Sequence, residues 1–179
     1  MGFVLDPGGL KWVILGHIGA VVASIPMVTL PKAHLTGVYR HYLDDKNRVT
    51  IPSAWRNLFG KEASFLAIPN PAGYVSVLPP IEAEKLYDKF AAVPLSDEEA
   101  QDDISVFMAN TQSFKFDSQG RIGLSEGLFN HVGLNGPKEE VVLVGSANKF
   151  NIYSSARWAE VAAKSTRATQ ANVMKRFAI

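Results

Sequence analysis

Two short segments of the sequence share the spacing Asp-x-x-x-Arg, which brings a carboxylate and a guanidinium within reach of each other across a tight turn. The first runs from Asp44 to Arg48 and carries Lys46 and Asn47 between them. Two cations and an amide at a turn are groups that contact phosphates and base edges. We predict that the Asp44 carboxylate accepts turn N–H bonds or holds the Arg48 guanidinium, fixing the turn before a ligand binds.

The second segment repeats this layout 73 residues later, with Asp117 and Arg121 enclosing Ser118-Gln119-Gly120. Gly120 takes the repeat position of Asn47, and Gly and Asn are the residue types that best tolerate a positive φ. Both segments therefore predict hairpins, organised by Asp44, Asp117 and Gly120.

Two interpretations stand for each copy: a nucleic-acid contact, or an ion pair that only stabilises a hairpin. Function is favoured in the first copy, where Arg40, Arg56 and Lys61 are also near in sequence. The interpretations are balanced in the second copy, because Arg121 has no further cation beside it there. The predicted DNA contacts are Arg48, Lys46, Asn47, Arg40 and Arg121.

Catalytic and metal-binding chemistry finds little support. His17, His34, His41 and His131 form no His-Glu-x-x-His pair, and the chain has neither a Gly-x-Ser-x-Gly elbow nor a Gly-x-x-x-x-Gly-Lys loop. The absence of cysteine excludes thiol catalysis, zinc fingers and iron–sulfur ligation. We predict no catalytic residue, no metal, no cofactor and no small-molecule substrate.

Composition is that of a protein with a real core: 179 residues, of which 47% are hydrophobic, with a net charge of +1. The charge is segregated along the chain. Residues 35–61 carry +3, residues 62–104 carry −7 and residues 127–179 carry +4. A folded surface could therefore present a positive face, which phosphate binding requires.

The elements that must position the two segments follow the same order in each copy: strand, turn, strand, short helix, strand, turn, strand, helix. Apolar runs with turn formers between them indicate the second strand pair of each copy. The predicted pairs are residues 65–68 with 74–78 and 141–144 with 150–153, and the predicted helices are 53–59, 80–92, 125–132 and 155–163.

Between the copies, Ser96 to Glu99 has the spacing of a capping box, and apolar residues then recur at helical intervals. This predicts a connecting helix whose solvated face explains most of the acidic charge. We divide the chain into an apolar extension (1–34), a first copy (36–92), the connecting helix (93–110), a second copy (111–163) and a basic tail (164–179), solvated beside DNA or disordered.

The apolar run within residues 10–26 allows three interpretations. It resembles a signal-peptide core and is short for a membrane span. It is also explained by an apolar extension of the folded protein, or by a start site set too early, with Met27 as the true first residue. A membrane partner is not favoured.

These segments resemble the MraZ family of bacterial transcriptional regulators, whose members carry two Asp-x-x-x-Arg copies. The resemblance runs from about residue 36 to about residue 163 and rests on residues 39–52, residues 116–122, and the Leu143-Val144-Gly145 and Lys149-Phe150 strands.

The resemblance implies an α+β fold: a tandem, pseudo-symmetric swapped-hairpin β-barrel of two AbrB-like halves with short helices. It also implies a homo-oligomeric ring that binds double-stranded DNA at direct repeats in the promoter of the division and cell wall gene cluster, its own promoter, usually as a repressor. The expected location is the cytoplasm, in association with the nucleoid. Two alternatives remain: an assembly or antitoxin-like protein that binds no DNA, and a membrane-tethered or exported protein directed by residues 10–26.

Overall fold

A computed structural model describes residues 34–179; the apolar run within residues 10–26 lies outside the described part. The fold is mixed α+β. The first copy contains β1 (Val38–Tyr42), β2 (Arg48–Thr50), α1 (Ser53–Arg56), β3 (Phe65–Asn70), β4 (Tyr74–Leu78) and α2 (Pro80–Ala91). Then follow α3 (Glu98–Ala109), β5 (Gln112–Phe114), β6 (Arg121–Gly123), α4 (Glu126–His131), β7 (Glu140–Ser146), β8 (Lys149–Ser154), α5 (Ser155–Ala162) and α6 (Arg167–Phe177).

The predicted order of elements within each copy is confirmed, but the strands pair across copies. Six strands form one antiparallel sheet in the order β1-β7-β8-β4-β3-β5, and β2 pairs with β6 in a separate two-stranded ladder. The first strand of each copy thus lies against the other copy: β1 on β7 and β5 on β3. The two copies share one sheet and one core.

The predicted motif hairpins are therefore only partly observed. Both turns form, with φ of 55° at Asn47 and 74° at Gly120. Their flanking strands then diverge, since β1 and β5 join the large sheet whereas β2 and β6 pair with each other. The predicted closed barrel is not observed in residues 34–179, because β1 and β5 are free edges of the large sheet.

The core lies between the large sheet, the two-stranded ladder and the short helices. Val49 and Ile122 face it from the ladder and are buried. Trp55 enters from α1 and packs edge-on against Tyr39 at 5.0 Å between ring centroids, and against Phe150 at 5.2 Å. Its indole Nε1 donates to the Thr36 carbonyl at 3.0 Å, so the one polar atom of the buried ring is satisfied.

The helices correct two details of the predictions. The cap of α3 is Asp97, whose carboxylate accepts from Ala100 N, so the helix starts one residue later than a Ser96 cap implies. Ser125 and Ser154 cap α4 and α5. The basic tail contains α6, a helix of 11 residues with a capping box at Thr166, which neither alternative for the tail anticipated.

Across residues 34–179, every helix is too short or too polar to cross a membrane.

Candidate nucleic-acid interface

The pairing of β2 with β6 brings the two Asp-x-x-x-Arg segments together. Val49 lies opposite Ile122, Arg48 opposite Gly123 and Thr50 opposite Arg121. Because side chains alternate along a strand, Val49 and Ile122 face the core while the two arginines share the other face. We call residues 44–48 the first loop and residues 117–121 the second loop; they precede antiparallel strands and so lie at opposite ends of the ladder.

The first loop is closed by its own aspartate. Asp44 Oδ1 accepts from the backbone N–H groups of Lys46 and Arg48, both at 2.9 Å. Asp44 Oδ2 accepts from Arg48 Nε at 2.9 Å and lies 2.8 Å from Arg48 Nη2. The turn is completed by Asn47 N donating to the Asp44 carbonyl at 2.9 Å. The predicted role of Asp44 thus has both of its parts in the structure: it binds the turn backbone and the guanidinium.

The second loop repeats this arrangement. Asp117 Oδ1 accepts from Gln119 N and Arg121 N, both at 2.9 Å, and Oδ2 accepts from Arg121 Nε at 2.8 Å. Gly120 N donates to the Asp117 carbonyl at 2.8 Å. The loops are therefore alike in backbone and in their aspartate–arginine pair, although their middle residues differ.

The two pairs also contact each other. Arg48 Nη1 lies 3.6 Å from Asp117 Oδ2, and Arg121 Nη1 lies 3.5 Å from Asp44 Oδ2. Each carboxylate thus lies between two guanidinium groups in an ion-pair cluster of Asp44, Arg48, Asp117 and Arg121. Their side chains are between 22% and 32% exposed, so the cluster is accessible to solvent.

The cluster strongly favours the charged form of both aspartates. The hydrogen bond from the Arg48 guanidinium, together with backbone N–H groups, lowers the pKa of Asp44 to about 2. The backbone N–H of Arg121, followed by its guanidinium, lowers the pKa of Asp117. The four charges sum to zero, so the cluster compensates much of the positive charge that the two arginines would otherwise present.

The cations around the first loop that lie outside the ion-pair cluster are lysines. Lys46 is exposed, and its ammonium has no partner among the described residues. Lys138 donates its backbone N–H to the Leu43 carbonyl at 3.0 Å, and its ammonium lies 3.7 Å from Asp45. Asn47 Oδ1 is buried and accepts no bond from the described residues, so the amide oxygen points into the protein.

The second loop lies beside two cations, one at the end of α1 and one in the segment that follows this helix. Arg56 was expected near the first loop, but its Nε donates to the Ile51 carbonyl at 2.9 Å and its guanidinium lies over Gly120. A Cβ added to Gly120 would lie 2.3 Å from Arg56 Cδ. Arg56 and Lys61 line a cleft of about 570 Å³ that Asp117 and Ser118 complete. The second loop therefore has basic neighbours that its local sequence does not provide.

Arg40 is not part of the ion-pair cluster. It lies on β1, where its Nη1 donates to Glu140 Oε2 at 2.8 Å and lies 3.5 Å from Ser155 Oγ. The Ser155 hydroxyl, followed by the Arg40 charge, lowers the pKa of Glu140. Arg40 thus joins β1 to β7 and α5, and its side chain is about half exposed.

Lys138 is the residue that sequence reasoning missed at this face. It lies in the connection before β7, outside both Asp-x-x-x-Arg segments, and reaches the first loop only because β1 pairs with β7.

 It follows Asp44 by 94 residues in the chain. A lysine after Gly136-Pro137 carries no local signal of its own, so only the cross-copy pairing of strands could have revealed it.

Within residues 34–179, no three His, Asp or Glu side chains are grouped as metal ligands. His131 instead hydrogen-bonds the Asn70 carbonyl at 2.7 Å through Nε2. Burial lowers the pKa of His41 on β1.

Comparison with known proteins identifies a family model and relatives that are similar to this chain. A family model described as "MraZ protein, putative antitoxin-like" matches residues 107–178. Proteins named "Transcriptional regulator MraZ" match over most of the chain. The protein from Halothermothrix orenii is 32% identical over 122 residues, which are 68% of this chain and 82% of that protein.

Two further relatives carry the same name. The protein from Lactobacillus delbrueckii subsp. bulgaricus is 34% identical over 69% of this chain and 83% of its own length. The protein from Clostridium acetobutylicum is 29% identical over 69% of this chain and 84% of its own length. The chain has two copies of the Asp-x-x-x-Arg motif, which share one sheet, and it is similar to these relatives over about two thirds of its length. We conclude that the chain belongs to the MraZ family.

Proposed function

We propose that this protein regulates transcription by binding double-stranded DNA through the face that carries the first loop. The observation that supports this most directly is the ion-pair cluster, which holds the first loop in one conformation with Lys46 exposed and Lys138 beside it. A loop ordered before binding loses little conformational entropy when it meets DNA. The proposed contacts are Lys46, Asn47, Arg48, Arg40 and Arg121, together with Lys138.

Arg48 has two tasks in this proposal. Its Nε and Nη2 atoms hold Asp44, which orders the loop. Its side chain is still about one-third exposed, and an arginine presents five N–H donors, so we propose that it also offers donors to a phosphate or a guanine edge.

The proposal extends to assembly and target. We infer that the cross-copy pairing of β1 with β7 and of β5 with β3 is the single-chain form of an AbrB-like swapped hairpin. A homo-oligomeric ring of such chains would present several first loops to successive direct repeats, and linked contacts multiply modest affinities. The proposed target is the protein's own promoter in the division and cell wall gene cluster, with repression as the outcome and a nucleoid-associated, cytoplasmic location.

The experiment is an ionic-strength series of binding to a labelled fragment of the protein's own operon promoter, with random DNA of the same length as competitor. The wild-type protein is expected to prefer the promoter, and its affinity is expected to fall steeply with salt because phosphate contacts release counterions. Arg48→Ala is expected to abolish specific binding. Lys89→Ala, which removes an exposed cation on α2, is the matched control and should bind as the wild type does.

Asp44→Ala separates the two tasks of Arg48. If Arg48 acted only through direct contact, this variant would free the guanidinium and binding would be kept or strengthened. Our proposal expects binding to weaken, because the loop loses two backbone hydrogen bonds and its ion pair. No preference for the promoter in the wild type would overturn the proposal and favour an assembly or antitoxin-like role.

A further inference from the structure

The described part of the chain has a largely apolar cleft that shares no lining residue with the ion-pair cluster. It measures about 490 Å³ and is bounded by the end of α3, the β3–β4 turn and α4. Val106 and Phe107 line it from α3, Pro71 from the turn, and Leu128 and His131 from α4. Val106 is 65% exposed, so part of the apolar lining of the cleft is open to solvent.

The second apolar surface is α6. Every residue of this helix is exposed. Val173, Met174 and Phe177 are 46%, 52% and 66% exposed, and their spacing of one, three and four residues places them on one face of the helix. A short helix with an uncovered apolar face gains most of its stability from packing against a partner. The family model includes all of α6 in its match.

The charges of the two surfaces are opposite. Helix α3 presents Glu98, Glu99, Asp102 and Asp103 and no cation, and none of these carboxylates has an ion-pair partner within residues 34–179. Asp102 and Asp103 lie one turn before Val106 and Phe107 on α3, so acidic side chains lie beside the cleft. Helix α6 carries Arg167, Lys175 and Arg176 and no acid.

We propose that α6 of one chain docks into the α3–α4 cleft of a second copy, with Met174 and Phe177 in the cleft and Arg167, on the same side of the helix, facing the acidic residues of α3. This rests on the self-association in the proposed function and names the surfaces that build it. The contact joins two different surfaces, so it is heterologous, and repetition around a closed rotation generates a ring. An apolar helix face in a groove is a common mode of protein recognition.

Oligomeric mass tests the proposal directly. Light scattering after gel filtration should give a multimer for the wild type and a large loss of mass, to the monomer, for Met174→Glu/Phe177→Glu. Ala168→Glu/Asn172→Glu adds the same charge on the opposite side of α6 and should remain multimeric. Reversing Arg167 to Glu should weaken assembly, and adding Asp102→Lys and Asp103→Lys in the same chain should restore it. Circular dichroism checks that each variant folds.

Cysteine cross-linking identifies the neighbour, because the natural chain has no cysteine to interfere. Val106→Cys/Met174→Cys under mild oxidation should give a ladder of covalent dimers and larger species under denaturing conditions. Either single variant should give no ladder beyond a dimer. A fast-migrating monomer in place of the ladder would mean that α6 docks on its own chain, and this would overturn the proposal.

The outcomes separate this inference from the proposed function. A multimeric Met174→Glu/Phe177→Glu variant would overturn the α6 contact and leave self-association intact. A monomeric wild type would overturn both the ring and the contact. DNA binding is measured independently by the salt series, so its failure would leave the α6 contact standing.

Discussion

The first and second loops have the same backbone and different surroundings. In each, one aspartate oxygen accepts two backbone N–H bonds and the other holds the motif arginine. Their cations come from different places: the first loop carries Lys46 and meets Lys138, whereas the second loop lies beneath Arg56. The comparison teaches that a repeated motif supplies a rigid frame, and that the residues set into or packed against that frame decide what it can bind.

The comparison also shows that each loop depends on the other. The cross-contacts of 3.5 and 3.6 Å link each arginine to the aspartate of the other copy. Removing one charge from the cluster therefore changes the balance at both loops. Single substitutions in the cluster report on stability and binding together, so the sharpest tests exchange the middle residues and leave the four charges in place.

Among variants that keep the four charges of the cluster, the largest effect is expected from such an exchange. Asp45→Ser/Lys46→Gln/Asn47→Gly gives the first loop the middle residues of the second. The fold should be kept, because Gly accepts the positive φ at position 47. Loss of Lys46 and Asn47, two of the proposed contacts, should weaken specific DNA binding by roughly 10- to 100-fold. Unchanged affinity in a fluorescence titration would show that the two loops are equivalent in binding.

The next effect concerns stability. Gly120→Ala should lower the free energy of unfolding by about 1–2 kcal/mol, because an L-residue at φ of 74° is strained; its Cβ would also displace Arg56. Asn47→Gly at the equivalent position should change stability little. Urea denaturation of both variants measures the difference, and equal stability of the two would mean that neither the positive φ nor Arg56 restricts position 120.

Acid unfolding should distinguish Asp44 from its exposed neighbour Asp45. A carboxyl whose pKa is lowered in the folded state stabilises the fold above its unfolded pKa of about 4, and that stabilisation is lost as the pH falls through the folded value. For Asp44 the window extends from about 4 to about 2. Asp44→Asn should therefore flatten the loss of stability over this range. Thermal unfolding at pH 5, 3 and 2 provides the measurement, with Asp45→Asn as the exposed neighbouring control.

The smallest effect is expected from single lysines at the edge of each loop. Lys138→Ala should weaken DNA binding a few-fold and reduce the salt slope by about one contact. Lys61→Ala, beside the second loop, should change the slope less if the first loop carries most contacts. Equal changes in the two variants would assign DNA contacts to both loops.

Much of the fold was readable from local sequence. Periodicity and turn residues predicted the order of strands and helices in each copy, and the residue type at positions 47 and 120 predicted their positive φ. Pairing between copies was not readable, because strand partners are chosen by long-range packing rather than by local pattern. The helical tail was also missed, since α6 has only three large apolar residues among its polar ones.

The sequence by itself determined the two Asp-x-x-x-Arg turns, because each aspartate acts on backbone groups only two and four residues away. Only the tertiary structure decided that these turns meet, that Lys138 joins the first loop and that Arg56 covers the second. These contacts bridge distant parts of the chain and exist because β1 pairs with β7 and β2 with β6. Local hydrogen bonds follow from sequence spacing, whereas the neighbours of a loop follow from which strands share a core.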